Sequence, residues 1–239
     1  MGNFGLLGYP LGHSFSKAWF EKRGHSYTNF AYQNVEEFLN SKPSDLEGFN
    51  VTIPHKRAII PFLDSLDSAA KEVGAVNCVK VLENKQLKGY NTDIIGFEES
   101  LIDLIGEQFT GRAAVLGSGG ASHAVCYVLH KLGIDHQVIS RQNNGYSTFR
   151  IQDFRLIINA TPLGMSPKVD TAPEIDYDQI NCSYFLYDLV YNPAQTLFLE
   201  KGRKHGAAVK NGLAMLISQA QAALLIFEAR DRQDECKSQ

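Results

Sequence analysis

A turn of glycines, a lysine and a scattered set of serines, amides and carboxylates are the residues of this sequence best equipped for chemistry. Gly117-Ser118-Gly119-Gly120-Ala121-Ser122 follows the apolar run Ala113–Leu116 and opens a helical pattern. Glycines allow a tight strand-to-helix turn and let the backbone approach a pyrophosphate. The helix behind them offers free N–H groups and the positive end of its dipole to that phosphate. Ser122 stands where the fingerprint has its third glycine, so the strand–turn–helix context carries the reading more than the glycine count. The competing reading is a tight turn with a structural use alone.

The end of the next strand distinguishes one dinucleotide from another. An NAD site presents Asp or Glu about 20 residues after the first glycine to hold the ribose hydroxyls. Here that stretch is Val138-Ile139-Ser140-Arg141-Gln142, without an acid. Serine followed by arginine suits a 2′-phosphate, which a guanidinium grips with paired hydrogen bonds. NADP is therefore the expected cofactor; the plain alternative for Arg141 is a solvated loop charge.

Further polar residues cluster near the start of the chain. Ser14 and Ser16 flank one residue at a strand-to-helix turn, where hydroxyls and N–H groups form a cradle for a carboxylate. Helix capping accounts for either serine but not for both. Asn50-Val51-Thr52-Ile53-Pro54-His55-Lys56 brings polar side chains and a lysine to a strand mouth, and Gly74-Ala75-Val76-Asn77 and Asn91-Thr92-Asp93 add an amide and a carboxylate at other element ends. Strand ends are where open α/β sheets bind ligands. Taken singly, each has an ordinary role: Lys56 a solvated charge, Asp93 a cap for the helix at Ile94, Asn77 a turn residue.

The elements that must position these residues alternate between strand and helix, the sign of βαβ units and parallel sheets. Strands are expected at Phe4–Gly8 and Gly48–Ile53, a short helix at Ser68–Val73 closed by Gly74, and a hairpin from Val76–Leu82 and Leu87–Tyr90. A helix over Ile94–Ile105 is expected to bridge two domains. A second alternation follows: strand Ala113–Leu116, helix Ser122–Leu132, strands Gln137–Ile139, Leu156–Asn159 and Tyr184–Leu189, helix Leu197–His205 and strand Ala207–Val209. Leu213, Leu216, Ile217, Ala220, Leu224 and Phe227 then fall on one stripe of an amphipathic helix. The polar end from Asp231 to Gln239 reads as a frayed tail.

Composition narrows the partners. With 239 residues, 44% apolar and 21% charged, the chain has material for two small α/β domains. A net charge of −3 gives nucleic acid no basic footprint. No apolar run approaches the roughly 18 residues that span a bilayer, and the first residues lack the layout of a signal peptide. Cys78, Cys126, Cys182 and Cys236 are scattered, so neither a disulfide framework nor a metal site is expected. A cytoplasmic protein acting on a small molecule, as monomer or homodimer, without nucleic acid or membrane partners, follows as the expectation.

Eight strings in order then resemble the shikimate dehydrogenase family along nearly the whole chain: Gly8-Tyr9-Pro10 through Ser16, NVTIPHK (50–56), GAVN (74–77), NTD (91–93), the GSGGAS turn, INATPLGM (158–165), YDLVYNP (187–193) and NGLAMLISQA (211–220). The resemblance implies an N-terminal α/β substrate domain over 1–95, completed by a C-terminal helix at 212–230, and a Rossmann-like NADP-binding domain over 96–211. It implies that Ser14 and Ser16 hold a substrate carboxylate with Tyr191 nearby, and that Thr52, Lys56, Asn77, Asp93 and Gln219 hold ring hydroxyls. Thr161, Met165 and Gly212, on the nicotinamide side, and Leu189 would join Gly117, Ser118, Gly119, Gly120, Ala121, Ser140 and Arg141 around the cofactor. The implied activity is reversible NADP-dependent reduction of 3-dehydroshikimate to shikimate, in the chorismate route to aromatic amino acids. Substrate and cofactor would meet in an interdomain cleft whose closure excludes water.

That chemistry suits Lys56 and Asp93. Adding hydride to a ketone develops negative charge on oxygen, which calls for a proton donor beside it. A lysine next to a carboxylate can bond the reacting oxygen and pass protons, and either member can carry the proton. One stretch departs from the family: only about fifteen residues, Arg141–Arg155, join two strands that a longer crossover with a fuller helix joins elsewhere. Asn143–Tyr146 reads as a turn and Ser147–Gln152 has little helical pattern, so the sheet is expected to close over a loop or a single turn. Ser140 also stands where asparagine is common. Two rivals remain: a quinate/shikimate dehydrogenase using NAD or NADP, and a non-catalytic paralogue that binds a metabolite.

Overall fold

The computed structural model describes residues 1–12, 15–141 and 145–230. They form two compact units, one of Met1–Thr92 with the segment that begins at Ala220, the other of Asp93–Gln219.

In the first unit the strands are β1 (Asn3–Gly8), β2 (Ser26–Ala31), β3 (Gly48–Val51), β4 (Ser65–Leu66), β5 (Cys78–Val81) and β6 (Leu87–Tyr90), and the helices are α1 (Phe15–Glu21), α2 (Val35–Ser41) and α3 (Ser68–Val73). One mixed sheet runs β2-β1-β3-β5-β6-β4. β1 pairs in parallel with β2 and β3, while β5 is antiparallel to both β3 and β6. Strand period puts alternate residues on opposite faces. Leu7, Phe49, Val51 and Val79 pack on one face with Val35 and Phe38. Phe4, Tyr27 and Cys78 pack on the other with Trp19 and Phe20 of α1. Ala220, Ala223 and Phe227 of α8 (Leu213–Glu228) join this second cluster. Gly48 has no side chain because Phe227 lies there: a Cβ at Gly48 would sit 2.4 Å from its ring.

β2 and α2 are absent from the sequence reading. Ser26–Ala31 buries only Tyr27 fully, and its other side chains give no sustained alternation. α2 is seven residues long, too short for periodicity to stand out, and is set by its cap: Asn34 Oδ1 accepts from Glu36 N at 2.7 Å and Glu37 N at 3.4 Å. α3 forms where its punctuation predicts. Asp67 accepts from Ala70 N at 2.8 Å, and Gly74 closes the helix at φ 66°, a left-handed conformation that glycine adopts without strain.

In the second unit β7 (Ala113–Leu116), β8 (His136–Ile139), β9 (Leu156–Asn159), β10 (Phe185–Asp188) and β11 (Ala208–Asn211) form a parallel sheet in the order β11-β10-β9-β7-β8. Helices α4 (Asp93–Ile105), α5 (Gly120–Lys131), α6 (Gly145–Thr148) and α7 (Leu197–Lys204) accompany it. β7 and β9 are buried along their whole length, as central strands covered on both faces must be. The chain leaves β7 for β8 on one side and returns to β9 on the other. A topological switch point therefore lies between the carboxyl ends of β7 and β9, the position at which such sheets bind ligands.

The short connection from β8 to β9 closes the sheet over single turns, as its length leads one to expect. Gly145–Thr148 makes one helical turn and Ile151–Asp153 a 3₁₀ turn. Ile151 and Phe154 are buried in the sheet's core, Tyr146 and Phe149 pack against it, and the Phe149 and Phe154 rings stack at 5.5 Å. Large aromatic side chains thus cover area that a longer helix would otherwise cover. α8 also departs in detail from the expected stripe, with Leu213 exposed and Met215 buried. Among the described residues no helix is long and apolar enough to cross a membrane.

Candidate functional site

At the switch point, Gly117 follows β7 at φ 109°, a conformation that side chains rarely adopt. Its missing Cβ matters twice over, since one built there would lie 2.8 Å from Thr161 Cγ2 and 3.1 Å from the Ala160 carbonyl. The glycine turn and the residue after β9 are in close contact as a result. α5 then starts from an N-cap glycine, Gly119, with no side chain capping it. Cβ atoms at Gly119 and Gly120 would meet nothing within 4 Å, so the helix end opens onto free space. This is the form a phosphate cradle takes. Ser122, at the fingerprint's third position, is buried and its hydroxyl donates to the Gly119 carbonyl at 2.6 Å. It braces the turn from within.

Ser118 is exposed in this turn and Ala121 is half-buried. Arg141 is exposed just past β8, whereas Ser140 before it is buried, its carbonyl accepting from Gly145 N at 3.0 Å. The arginine is thus the accessible member of the pair. Thr161 is half-buried and Met165 is 48% exposed. Gly212 packs on the backbone of Leu189: a Cβ there would come within 2.2 Å of the Leu189 carbonyl, and Gly212 N donates to the Val190 carbonyl at 3.2 Å. Tyr191, next along, is exposed. α4 and α8 approach closely at Gly96, whose Cβ would be 2.4 Å from the Met215 carbonyl and 3.1 Å from Gln219 N. Asp93 opens α4 one turn earlier and is buried, so it and Gln219 sit on facing helices of one unit. An acid in the first turn suits the helix dipole.

In the first unit, β1 and β3 deliver a second group of polar residues to one end of the sheet. Thr52 N donates to the Leu7 carbonyl at 2.9 Å and Thr52 O accepts from His55 N at 2.9 Å, which turns the chain toward Lys56. Gly8 makes room for Thr52, a Cβ there lying 2.4 Å from its Cγ2. His55 is buried and its Nε2 donates to the Tyr32 carbonyl at 2.7 Å, an anchor for the turn. The Lys56 carbonyl accepts from Val76 N at 2.8 Å, and the next residue, Asn77, is buried. Asn91 Nδ2 holds the Ala75 carbonyl at 2.9 Å, while its buried Oδ1 has no hydrogen-bond partner among the described residues. Ser16, on α1, hydrogen-bonds the Tyr27 hydroxyl, which donates to Asn50 Oδ1 at 2.9 Å. Burial drives the Tyr27 hydroxyl well above the usual phenol range, so it stays protonated. Ser14 lies outside the described residues, as do Gln142, Asn143, Asn144, Cys236 and the polar tail. Lys56 belongs to the first unit and Asp93 to the second. A separate cavity of about 310 Å³ beside Leu46, Lys80 and Phe227 contains none of these residues.

Sequence reasoning passed over Asn159, Asp188 and Thr92, all buried. The signal available was a polar residue closing an otherwise apolar strand, as in Leu-Ile-Ile-Asn and Phe-Leu-Tyr-Asp. A buried amide or carboxylate at a strand's carboxyl end needs partners, and those partners are site loops.

Comparison with known proteins gives a consistent result. Residues 6–79 match the family model of the shikimate dehydrogenase substrate binding domain. The chain is 37% identical to shikimate dehydrogenase (NADP(+)) of Methanococcus maripaludis, over 95% of this chain and 91% of that one. It is 35% identical to the enzyme of the same name from Caldanaerobacter subterraneus subsp. tengcongensis, over 94% of this chain and 90% of the relative. The crystal structure of shikimate 5-dehydrogenase from Thermus thermophilus in complex with NADP(H) and shikimate superposes with a TM-score of 0.84 at 31% identity, covering 95% of this chain and 94% of that one.

Proposed function

The chain belongs to the shikimate dehydrogenase family, and from that premise we propose that it is an NADP-dependent oxidoreductase that reversibly reduces 3-dehydroshikimate to shikimate. The observation that carries this reading is the switch point: Gly117 in contact with Thr161, an uncapped α5 N-terminus opening onto free space, and Arg141 exposed at the end of β8. This chemistry fits NADP, with N–H groups for the pyrophosphate and a guanidinium for the 2′-phosphate. Residues 96–211 are its binding domain. Residues 1–95, completed by the helix at 212–230, hold the substrate.

When bound, NADPH supplies the hydride. The protein's residues do the rest. Ser14 and Ser16 hold the substrate carboxylate, with Tyr191 beside it; Thr52, Asn77 and Gln219 hold ring hydroxyls. Lys56 donates a proton to the ketone oxygen as its negative charge grows, and takes it back in the reverse direction. Asp93 binds the same region of the substrate. Thr161, Met165 and Gly212 line the nicotinamide side, Leu189 joins the cofactor site, and Ser118, Gly119, Gly120, Ala121 and Ser140 complete the phosphate and ribose contacts. We read the enzyme as cytoplasmic, acting on small molecules alone, as a monomer or homodimer. Mixing the protein with 3-dehydroshikimate and NADPH tests the reading: NADPH absorbance is consumed with formation of shikimate, and its persistence would overturn the assignment.

A further inference from the structure

We propose that Asp188 is a positioning residue of the cofactor site, fixing through Asn159 the turn that carries Thr161 against the glycine turn at Gly117. This rests on the reading of the switch point as the NADP site.

Asn159 and Asp188 close the neighbouring strands β9 and β10 in register, and both are fully buried. Asn159 Nδ2 donates to Asp188 Oδ1 at 2.9 Å and to the Leu163 carbonyl at 3.2 Å. Its Oδ1 accepts from Thr161 N at 3.0 Å and from Thr161 Oγ1 at 2.6 Å. The carboxamide therefore uses both N–H groups and both lone pairs, an amide's full capacity. Which end faces Thr161 depends on its neighbour. An ionised carboxylate only accepts, so Asp188 selects the amide's NH₂ end and thereby aims its carbonyl at Thr161.

The rest of Asp188 serves the same loops. Oδ1 also accepts from Val190 N at 3.0 Å, and Oδ2 accepts from Thr196 Oγ1 at 2.5 Å. Val190 in turn receives the hydrogen bond from Gly212 N. One carboxylate thus reaches the turns of Thr161 and of Leu189 and Gly212. None of its hydrogen-bond partners carries a charge, so burying it is costly, and an apolar side chain would serve packing alone better. What the carboxylate adds is directional acceptance.

The test is equilibrium binding of NADP and, separately, of shikimate to the full chain, comparing wild type with Asp188→Leu and Asp188→Asn. Asp188→Leu should raise the NADP Kd about tenfold or more while shikimate Kd stays within about twofold. Asp188→Asn should return NADP affinity to within about threefold of wild type, because Val190 and Asn159 still select its oxygen and Thr196 can turn its hydroxyl to accept. An unchanged NADP Kd in Asp188→Leu, or equal losses for both ligands, would overturn the proposal. If Asp188→Leu does not fold, Asn159→Asp gives the same information. It sets two carboxylates face to face, so NADP should bind more weakly near pH ~8 than near pH ~6, where a shared proton replaces the lost N–H. A Kd no more pH-dependent than that of wild type would count against the proposal. A wild-type chain that binds no NADP would remove the underlying reading instead, which separates the two failures.

Discussion

Thr92 grips the carboxamide of Asn77 at both ends: its N–H donates to Asn77 Oδ1 at 2.7 Å and its Oγ1 accepts from Asn77 Nδ2 at 3.0 Å. Both residues are buried. The Asn77 carbonyl is held as well, by Val51 N at 2.8 Å and Asn50 Nδ2 at 3.3 Å. An amide held in this way keeps one orientation, as the proposed contact with a ring hydroxyl requires. Thr92→Val has nearly the same shape but lacks the acceptor for Nδ2, a loss of about 1 kcal/mol and so about a fivefold rise in KM for shikimate. Steady-state kinetics should show that rise with KM for NADP unchanged. Equal KM values for shikimate in variant and wild type would count against Asn77 as a substrate ligand.

Lys56→Ala isolates the proposed proton donor. The main-chain bond from Val76 N to the Lys56 carbonyl does not depend on the side chain, so the turn should persist. Turnover should fall about a thousandfold, within the range for loss of a general acid, and NADP affinity should hold. A marked loss of NADP affinity would show that the lysine is misassigned.

Much of this was legible in the sequence because strong local signals coincide there. Gly74 ends α3, apolar runs mark β7 and β9, and glycines mark the turn after β7. β2 and α2 escaped notice because a single fully buried strand residue and a seven-residue helix leave no periodicity to read. The strings containing Asn159, Asp188 and Thr92 were visible, but not their roles. Those depend on partners in other loops, and pairing between distant residues has no local signature. The compact β8-to-β9 connection was anticipated in length, while the aromatic anchors that let it cover the sheet emerge only in three dimensions.

Asp188 gives stability a definite pH dependence. Burial pushes its carboxyl up to about 6, although hydrogen bonds from Thr196, Val190 and Asn159 pull it down. In the unfolded chain an aspartate titrates near ~3.9. The folded state therefore holds this proton more tightly, and stability falls as pH rises through that window. Above it the cost is complete, on the order of 3 kcal/mol. Urea unfolding of wild type and Asp188→Asn should give a difference that shifts in the variant's favour from about pH 4 to about pH 6 and then levels off. A difference independent of pH would contradict the raised carboxyl.

Arg141→Ala addresses the cofactor phosphate. Removal of a guanidinium paired to a 2′-phosphate should weaken NADP about tenfold or more and leave NAD within about twofold. Titration of both dinucleotides against the variant measures the contrast. Equal losses would place the arginine elsewhere.

The central claim is tested most directly by one steady-state experiment, in which shikimate and quinate are each offered with NADP and with NAD. Shikimate with NADP should give the highest kcat/KM of the four pairs. Turnover that is faster with quinate or with NAD, or binding of shikimate without any reduction of NADP, would contradict it.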